Sequence, residues 1–377
     1  MKRLISSIVQ LLKRIKRSLT RLVVQGYICC CKCLPVKQRA FFYTIRADGQ
    51  LLENLACVYD ACACDKVVFA HMLPHSFLLS LRARRLMLTS RVVVTDDYLK
   101  YCRDTTLRPW QKLVQLWHAP GAFKCFALDA PSRLTPEEER RTHAQYTDVC
   151  VSSEAVRPFY AAAFGVSPDV IRPLGVPRTD ALLDPVRRAN AKDGLLSRHE
   201  DLRGKTVYLY APTFRETDGV VQTFDPKLDF AALDASLSDG EVFVVTRHPV
   251  MQTPFFAPED HRHLLDLTWE PTGDLLCCAD VLLTDYSSVL FDASLLDIPT
   301  VFYCPDKATY ERSFYLDLDR DLPGPLTEQA DAVLPLLRQA HTAPPTDRIR
   351  AFCKSQTAAC DGHATERVAA LIASYLA

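Results

Sequence analysis

Residues 279–292, ADVLLTDYSSVLFD, change their hydrophobic pattern in the middle of the segment. Val281, Leu282 and Leu283 form a short apolar run, which is typical of a strand buried on both faces. The polar residues 284–288 end that strand, and from Val289 onwards apolar side chains recur at helical spacing. The segment therefore predicts a strand that leads through a polar turn into a helix.

The turn between this strand and helix can be a simple helix cap or part of a phosphate-binding site. Asp285, Ser287 or Ser288 can cap the first turn of the helix. A strand that leads into a capped helix at the carboxyl edge of an α/β sheet presents backbone N–H groups that suit phosphate oxygens. An ordinary strand–helix unit with a serine cap explains the same residues, so the rest of the chain must decide between the two interpretations.

Length and hydropathy narrow the class of protein. The chain has 377 residues and is 48% apolar, which indicates a globular protein with two domains. No uninterrupted run of about 18 apolar residues occurs, which argues against a membrane-spanning helix. Basic residues between positions 13 and 17 interrupt the only apolar segment near the start, which argues against a signal peptide. We therefore expect the chain in the cytoplasm.

The net charge of zero hides a basic N-terminal arm, residues 1–40. Residues 1–47 contain eleven Lys or Arg and no Asp or Glu, so the other 330 residues carry a net charge of −11. The arm can pack on its own domain, pair with a partner, bind nucleic acid or lie on an anionic membrane surface. We expect residues 1–25 to bind a membrane surface and no nucleic acid, because apolar residues recur every three or four positions between basic ones: Leu4, Ile8, Leu11, Ile15, Leu19 and Leu22.

The fifteen cysteines are expected to be reduced, because the chain has no export signal. Cys30 and Cys33 have the two-residue gap of a metal knuckle, but no second pair of cysteines with that spacing accompanies them. The sequence therefore predicts no structural metal.

Several apolar runs end in polar residues that are suited to a binding site. In the first half, one such run ends in Trp117-His118-Ala119-Pro120-Gly121 with Lys124 close behind. A Pro/Gly turn carries Arg178 and Asp180, which are either functional or simply paired to fix the turn. Because the carboxyl ends of parallel strands meet at one sheet edge, the polar residues of the second half are expected to converge: Thr213, Arg215, Arg247, His248, Ser287, Ser288 and later Arg312.

Five motifs in order resemble the CDP-glycerol glycerophosphotransferases, the primases and polymerases of teichoic acid. They are Trp117-His118 with Lys124, LGVPRTD at 174–180, YAPTFR at 210–215, RHP at 247–249 and TDYSSVLFD at 284–292. The resemblance covers roughly residues 65–320. It implies an α/β fold of the GT-B type, with two Rossmann-like lobes facing across a cleft.

The resemblance also implies that different parts of the chain bind the acceptor and the donor. Residues 41–190 would form the acceptor-side domain and residues 200–362 the CDP-alditol-binding domain. Residues 363–377 are expected to form a C-terminal helix, and in two-lobed folds the final helix often crosses back to the first domain. The reaction would transfer glycerol phosphate or ribitol phosphate from CDP-glycerol or CDP-ribitol to a lipid-linked acceptor, with release of CMP. Members of the family are peripheral proteins of the inner membrane face, in agreement with the basic arm.

The same resemblance assigns roles to individual residues. His118 would be the general base and His248 a second catalytic histidine on the pyrophosphate. The family's reaction requires no cofactor, and the resemblance does not exclude a loosely held Mg²⁺. The substrate-binding set would consist of Lys124, Arg178, Thr213, Arg215, Arg247, Thr284, Asp285, Ser287, Ser288 and Arg312.

Two alternatives to this function stay open at the level of sequence. A GT-B glycosyltransferase that uses a nucleotide sugar would keep the fold and the phosphate site. A non-catalytic scaffold that docks on the membrane through the arm would not need so many polar residues after its strands.

Overall fold

The computed structural model describes residues 2–72, 76–100, 103–132, 134–217, 220–248 and 250–377, with side chains from residue 13 onwards apart from those of 217 and 258. The chain divides into two compact units. The first unit contains the residues up to His118 together with Glu137–Cys150 and Glu366–Ala377. The second unit contains Ala119–Pro136 and Val151–Thr365.

The first unit is built around a parallel sheet. Its strands lie in the order β2-β1-β3-β4-β5, and each neighbouring pair is parallel. Val92, Val93 and Val94 in β3 are fully buried, as expected for a strand covered on both faces. The elements are α1 (Lys2–Cys33), β1 (Lys37–Thr44), α2 (Glu53–Ala61), β2 (Lys66–Ala70), α3 (Phe77–Leu88), β3 (Ser90–Thr95), β4 (Lys112–Gln115), α4 (Pro136–His143) and β5 (Asp148–Cys150).

Helix α1 is attached to this unit by its C-terminal half. Val24, Ile28 and Cys31 are buried and pack against Leu88 of α3. Nη2 of Arg108 donates to the carbonyl oxygens of Lys32 and Leu34, each at 2.8 Å, and to that of Cys31 at 3.3 Å, so a cation caps the C-terminal end of the helix. No helix among the described residues is both long and apolar enough to cross a membrane.

The second unit contains a six-stranded parallel sheet in the order β11-β10-β7-β12-β13-β14, and β8 and β9 form a separate antiparallel hairpin. The elements are α5 (Arg157–Phe164), β6 (Ile171–Arg172), α6 (Asp180–Leu183), α7 (Pro185–Arg198), β7 (Thr206–Ala211), β8 (Arg215–Thr217), β9 (Val220–Gln222), α8 (Phe230–Ser236), β10 (Glu241–Val245), β11 (Leu264–Asp266), α9 (Thr272–Leu276), β12 (Val281–Thr284), α10 (Val289–Leu295), β13 (Thr300–Tyr303), β14 (Leu326–Thr327), α11 (Val333–Thr342) and α12 (Thr346–Thr357). The last helix, α13 (Ala364–Leu376), begins in this unit and continues in the first.

Both faces of the second sheet are buried. Leu209 and Leu282 belong to an apolar cluster on one face, whereas Tyr208 and Leu283 belong to the cluster on the other. Neighbours along a strand point to opposite faces, so this alternation is what a two-sided core requires. The two parallel-sheet α/β units and the N-terminal helix confirm the predicted fold class.

The last helix, α13, belongs to the first unit from Glu366 onwards. The hydroxyl of Tyr375 donates to the carboxylate of Asp148 at 2.7 Å, and Nε of Arg91 donates to the carbonyl of Tyr375 at 3.0 Å. The end of the chain is therefore tied to strands β3 and β5.

Candidate functional site

The carboxyl ends of strands β10, β7, β12 and β13 are neighbours in the second sheet. Each strand is followed by polar residues, because the ladder ends there and the chain turns towards a loop or helix. The sheet order thus brings the segments Thr213–Arg215, Thr246–His248 and Asp285–Ser288 to one edge. The segment 304–306 after β13 joins them with the carboxylate of Asp306.

Asp285 is the centre of this edge. Its side chain is 1% exposed, and its Oδ1 accepts from the backbone N–H groups of Thr213 at 2.8 Å and of Tyr286. Its Oδ2 lies 2.8 Å from Nη1 of Arg215. Asp285 therefore joins the loop after β7 to the turn after β12, rather than capping helix α10.

Arg215 is largely committed to partners within the protein. Nε and Nη2 form a two-pronged ion pair with Asp306, at 2.6 and 3.0 Å, and Nη1 also donates to the carbonyl of Thr213 at 2.6 Å. Burial alone would lower its pKa, but the hydrogen bonds and charges of Asp306 and Asp285 outweigh it and raise the pKa of Arg215. The guanidinium is a fixed positive charge with few remaining donors.

Arg247 is also paired, and it organises the loop that carries His248. Its side chain is 5% exposed; Nη2 donates to Asp266 at 2.8 Å, and Nη1 donates to the carbonyls of Met251 and Thr253. These bonds fasten the loop after β10 to β11 and to itself. Pro249, the third residue of the RHP motif, lies outside the described residues.

His248 is exposed and lies 4.9 Å from the ring of Phe214, measured between ring centroids. Burial lowers its pKa, so the ring is neutral at pH 7. Nδ1 accepts from the backbone N–H of Val250 at 3.2 Å. In a neutral ring the proton then resides on Nε2, which becomes a donor.

The hydroxyl residues at this edge differ in accessibility. Thr284 is fully buried and donates to the carbonyl of Ala211 at 2.7 Å, which joins β12 to β7. Ser287 and Ser288 are half-buried, and the side chain of Ser288 makes no capping hydrogen bond to α10. Oγ of Ser287 accepts from the N–H of Val289 at 3.4 Å. Oγ1 of Thr213 is buried without a hydrogen-bond partner among the described residues.

Lys124 and Arg312 add two cations to the second unit. Nζ of Lys124 lies 3.3 Å from the hydroxyl of Tyr310, and Arg312 is exposed. Burial, followed by the positive charge of Arg312, lowers the pKa of Lys124 to about 8, and Arg215 acts in the same direction. Asp285 opposes this shift without cancelling it. The environment of Lys124 is therefore short of negative charge.

The loop before Lys124 is held by close packing. Gly121 has φ +67°, and its N–H donates to Oγ of Ser152 at 2.8 Å. A side chain at this position would overlap the ring of Phe291. Both the positive φ and the close approach require glycine here. The loop is thus fixed against α10.

Arg178 and Asp180 each have partners on other helices. Nη2 of Arg178 donates to Asp292 of α10 at 3.0 Å. The carboxylate of Asp180 accepts from the N–H groups of Ala364 and Thr365, at 3.1 and 2.7 Å, and so caps the start of α13. The turn at 177–180 therefore joins α10 to the beginning of the last helix.

His118 lies in the first unit, directly after a residue with unusual backbone geometry. Its Nδ1 lies 3.3 Å from the carbonyl oxygen of Asp96. A carbonyl only accepts, so this bond places the proton on Nδ1 and leaves the lone pair on Nε2. Burial and then the charge of Arg46 lower the pKa of His118, which keeps the ring neutral at pH 7. A neutral imidazole with a free Nε2 lone pair is the form that a general base needs.

Sequence reasoning missed Asp306 and Tyr310. Asp306 follows the apolar strand β13 and pairs with Arg215, while the ring of Tyr310 stacks on Tyr286 at 3.8 Å. The position of Asp306 after a buried strand was a signal that could have identified it. Tyr310 lies in an irregular segment without a pattern. Among the described residues, no group of three His, Cys, Asp or Glu is placed to hold a metal ion.

A family model and curated relatives indicate the same family. Residues 46–374 match the model of the CDP-Glycerol:Poly(glycerophosphate) glycerophosphotransferase family. The teichoic acid ribitol-phosphate primase of Bacillus spizizenii is 32% identical over 363 residues, 91% of this chain and 93% of the primase. The teichoic acid poly(ribitol-phosphate) polymerase of the same organism is 35% identical over 290 residues, 74% of this chain and 46% of the polymerase. The chain thus spans about half of that polymerase.

A solved structure shows the same fold. The wall teichoic acid polymerase TagF matches with a TM-score of 0.76, over 97% of this chain and 96% of that one, at 19% sequence identity. The likeness extends over nearly the whole chain and confirms the predicted GT-B type of fold.

Proposed function

The chain belongs to the CDP-glycerol:poly(glycerophosphate) glycerophosphotransferase family, and from this membership we propose that it transfers a polyol phosphate to a teichoic acid acceptor. The donor is CDP-glycerol or CDP-ribitol, and the leaving group is CMP. Relatives that act as glycerol-phosphate and ribitol-phosphate primases or polymerases support this reaction class. The donor binds to the second unit, and the acceptor binds mainly to the first.

The observation that carries the proposal is the position of Lys124, whose Nζ is held 3.3 Å from the hydroxyl of Tyr310. Burial and the neighbouring Arg312 disfavour the lysine ammonium, and they lower its pKa to about 8. A bound diphosphate would favour the ammonium, because its oxygens add their negative charge to that of Asp285. Lys124 and Arg312 are therefore the proposed direct cationic ligands of the donor.

Neutral donors complete the proposed phosphate site. His248 is exposed and has Nε2–H available as a donor to a phosphate oxygen or to the departing CMP. Ser287 and Ser288 are half-buried at the start of α10, and Thr213 has a hydroxyl without a partner among the described residues. Phosphoryl transfer depends on such oriented donors, because charge moves onto oxygen atoms in the transition state.

The remaining predicted ligands are proposed to position this site. Arg215 is held by Asp306 and Asp285, and Arg247 by Asp266. Thr284 is buried in a strand pair. Arg178 is bonded to α10 through Asp292. Their charges and hydroxyls fix the loops on which the direct ligands lie.

His118 is the proposed general base. The hydrogen bond from Nδ1 to the carbonyl of Asp96 leaves the lone pair on Nε2. Nε2 removes the proton from the acceptor hydroxyl as its oxygen attacks the phosphorus that bears the polyol. The bond from that phosphorus to the bridging oxygen breaks, and CMP leaves with the bonding electrons.

A donor panel tests the reaction class. Purified protein is incubated with a lipid-linked acceptor and with CDP-glycerol, CDP-ribitol or several nucleotide sugars, and release of the nucleotide is measured. We expect CMP from one or both CDP-polyols, and a loss on the order of 100- to 10,000-fold in His118→Ala. Release of nucleotide only from a sugar donor would refute the proposal in favour of a glycosyltransferase.

The middle of α1, residues 15–23, supports a second proposal, that the enzyme is peripheral on the inner face of the cell membrane. Ile15, Leu19, Leu22 and Val23 are 47–69% exposed. An open surface groove of about 390 Å³ lies between α1 and Phe77 of α3, and its other lining residues are Ile15, Lys16, Leu19, Thr20 and Val23. Exposed apolar side chains among basic ones match a surface that inserts between anionic headgroups.

Cosedimentation with vesicles tests the membrane proposal. Full-length protein should bind phosphatidylglycerol vesicles and not phosphatidylcholine vesicles at low salt. The substitution Leu19→Asp should release it without changing the melting temperature, because Leu19 is exposed. The matched control is Val186→Asp, at an exposed valine of the second unit. Equal binding by Leu19→Asp, or binding insensitive to salt, would show that the membrane contact lies elsewhere.

A further inference from the structure

The residue before His118 has a strained backbone. Trp117 has φ +53°, in the left-handed region that residues with a Cβ seldom adopt. Such a conformation is disfavoured and persists only where surrounding contacts impose it. Trp117 is 8% exposed, so those contacts come from the protein interior.

Two buried amide side chains hold both polar groups of the Trp117 backbone. Nδ2 of Asn54, at the start of α2, donates to the carbonyl oxygen of Trp117 at 2.9 Å. Oε1 of Gln115, the last residue of β4, accepts from the N–H of Trp117 at 2.8 Å. Asn54 is 1% exposed and Gln115 is fully buried, so water does not compete for these bonds.

Gln115 is itself fixed by a second pair of hydrogen bonds. Its Nε2 donates to the carbonyl of Asp97 at 3.2 Å and to the hydroxyl of Tyr146 at 3.1 Å. The amide can therefore not rotate without breaking three bonds at once. Asp97 also follows Asp96, whose carbonyl receives Nδ1–H of His118. We call Asn54 and Gln115 together the bracket, because they hold the Trp117 backbone from both sides. The loop at Asp96 and Asp97 thus contacts both the bracket and His118.

We propose that Asn54 and Gln115 are positioning residues for the reaction, because they clamp the strained Trp117 peptide and thereby aim Nε2 of His118. This inference rests on the proposed role of His118 as general base. The ring of Trp117 lies 4.3 Å from that of His118, between centroids, so a relaxed Trp117 would move the imidazole directly. Without the bracket the peptide is free to leave the left-handed region, and the hydrogen bond to Asp96 is lost with it.

The test compares Asn54→Ala and Gln115→Ala with a matched control, Gln111→Ala. Gln111 is 2% exposed and also makes buried hydrogen bonds in the first unit, to the carbonyls of Met87 and Ser90, but at the opposite end of β4. All three variants should unfold at lower urea concentration. Only the two bracket variants should lose kcat, on the order of 100-fold, with the KM for the CDP-polyol donor within twofold.

An NMR measurement distinguishes a change in the orientation of His118 from a general loss of stability. Nitrogen chemical shifts of ¹⁵N-histidine report the tautomer, and the His118 signals are assigned by difference from His118→Gln. In the wild type His118 should be protonated on Nδ1, and in Asn54→Ala it should become a mixture of tautomers. If Asn54→Ala does not fold, Asn54→Ser, which keeps a shorter donor, should give an intermediate kcat and an intermediate tautomer ratio.

The outcomes distinguish the inference from its premise. Loss of turnover in His118→Ala together with normal kcat and tautomer in the bracket variants would overturn the positioning role alone. Full turnover in His118→Ala would refute both the role of His118 as general base and the positioning role of Asn54 and Gln115. A loss of kcat in Gln111→Ala equal to that in Asn54→Ala would also overturn the inference, because any buried amide would then have the same effect.

Discussion

The lowered pKa of Lys124 makes donor binding depend on pH. A cation whose pKa is lowered to about 8 loses its charge between pH 7 and pH 9, whereas an ordinary lysine keeps it. Only the protonated form attracts the diphosphate. We therefore expect the affinity for CDP-glycerol or CDP-ribitol to decline across this range.

The size of the decline follows from the pKa. With a pKa of about 8, Lys124 is about nine-tenths protonated at pH 7 and about one-tenth protonated at pH 9, so the affinity should fall roughly tenfold. The difference from the ordinary value of 10.5 corresponds to roughly 3 kcal/mol against the ammonium of Lys124 within the protein.

Isothermal titration calorimetry measures both the affinity and the protons taken up. The donor is titrated without acceptor between pH 7 and pH 9.5, in pairs of buffers with different heats of ionisation. Near pH 9 the wild type should take up close to one proton per donor, because binding restores the ammonium. Lys124→Arg keeps its charge throughout, so it should show neither the decline nor the uptake.

Stability gives an independent check with a definite sign. The folded pKa of Lys124 lies below its unfolded value, so the folded state releases a proton first as pH rises. The free energy of unfolding attributable to this residue should therefore increase between about pH 8 and pH 10.5. Lys124→Met should be more stable than the wild type at pH 7 and should bind donor more weakly. Constant affinity up to pH 9 without proton uptake would refute the reasoning.

Three further predictions concern the surroundings of the two proposed centres. Arg46→Gln removes a charge that lowers the pKa of His118, so the acid limb of the kcat/KM profile should move to higher pH; an unmoved limb would exclude Arg46 as a cause. Asp285→Asn removes the buried ion pair to Arg215 and should lower the free energy of unfolding in urea by roughly 2 kcal/mol. An unfolding midpoint equal to that of the wild type would show that the ion pair with Asp306 alone holds Arg215 in place. Gly121→Ala should lower the melting temperature and weaken donor binding, because the added carbon overlaps Phe291 at a positive φ; unchanged melting would contradict this packing.

The sequence predicted the strands and the edge on which they end, because both depend on local pattern. Buried parallel strands appear as continuous apolar runs, and polar residues must follow where the hydrogen-bond ladder stops. The runs at 207–211, 242–245 and 281–283 all became neighbouring strands of one sheet. Their polar successors therefore meet at one edge, as a parallel arrangement requires.

The state of each side chain at that edge could not be predicted from local pattern. Arg215 pairs with Asp306, 91 positions further along the chain, and Arg247 pairs with Asp266. Such partners are brought together only by the tertiary fold. The left-handed backbone of Trp117 could not be predicted from the sequence either, because the residue is not a glycine. The two amide side chains that impose this conformation lie on α2 and β4.

The cations of the second unit fall into two groups with different physical roles. Lys307 has the usual arrangement, since its hydrogen bond to Asp319 raises its pKa. Arg215 and Arg247 have carboxylate partners too, and a paired buried charge mainly fixes the parts of the chain that it joins. Lys124 lies in a setting that disfavours its own charge. The ammonium of Lys124 is thus disfavoured within the protein, and under the proposed function a bound diphosphate would favour it again.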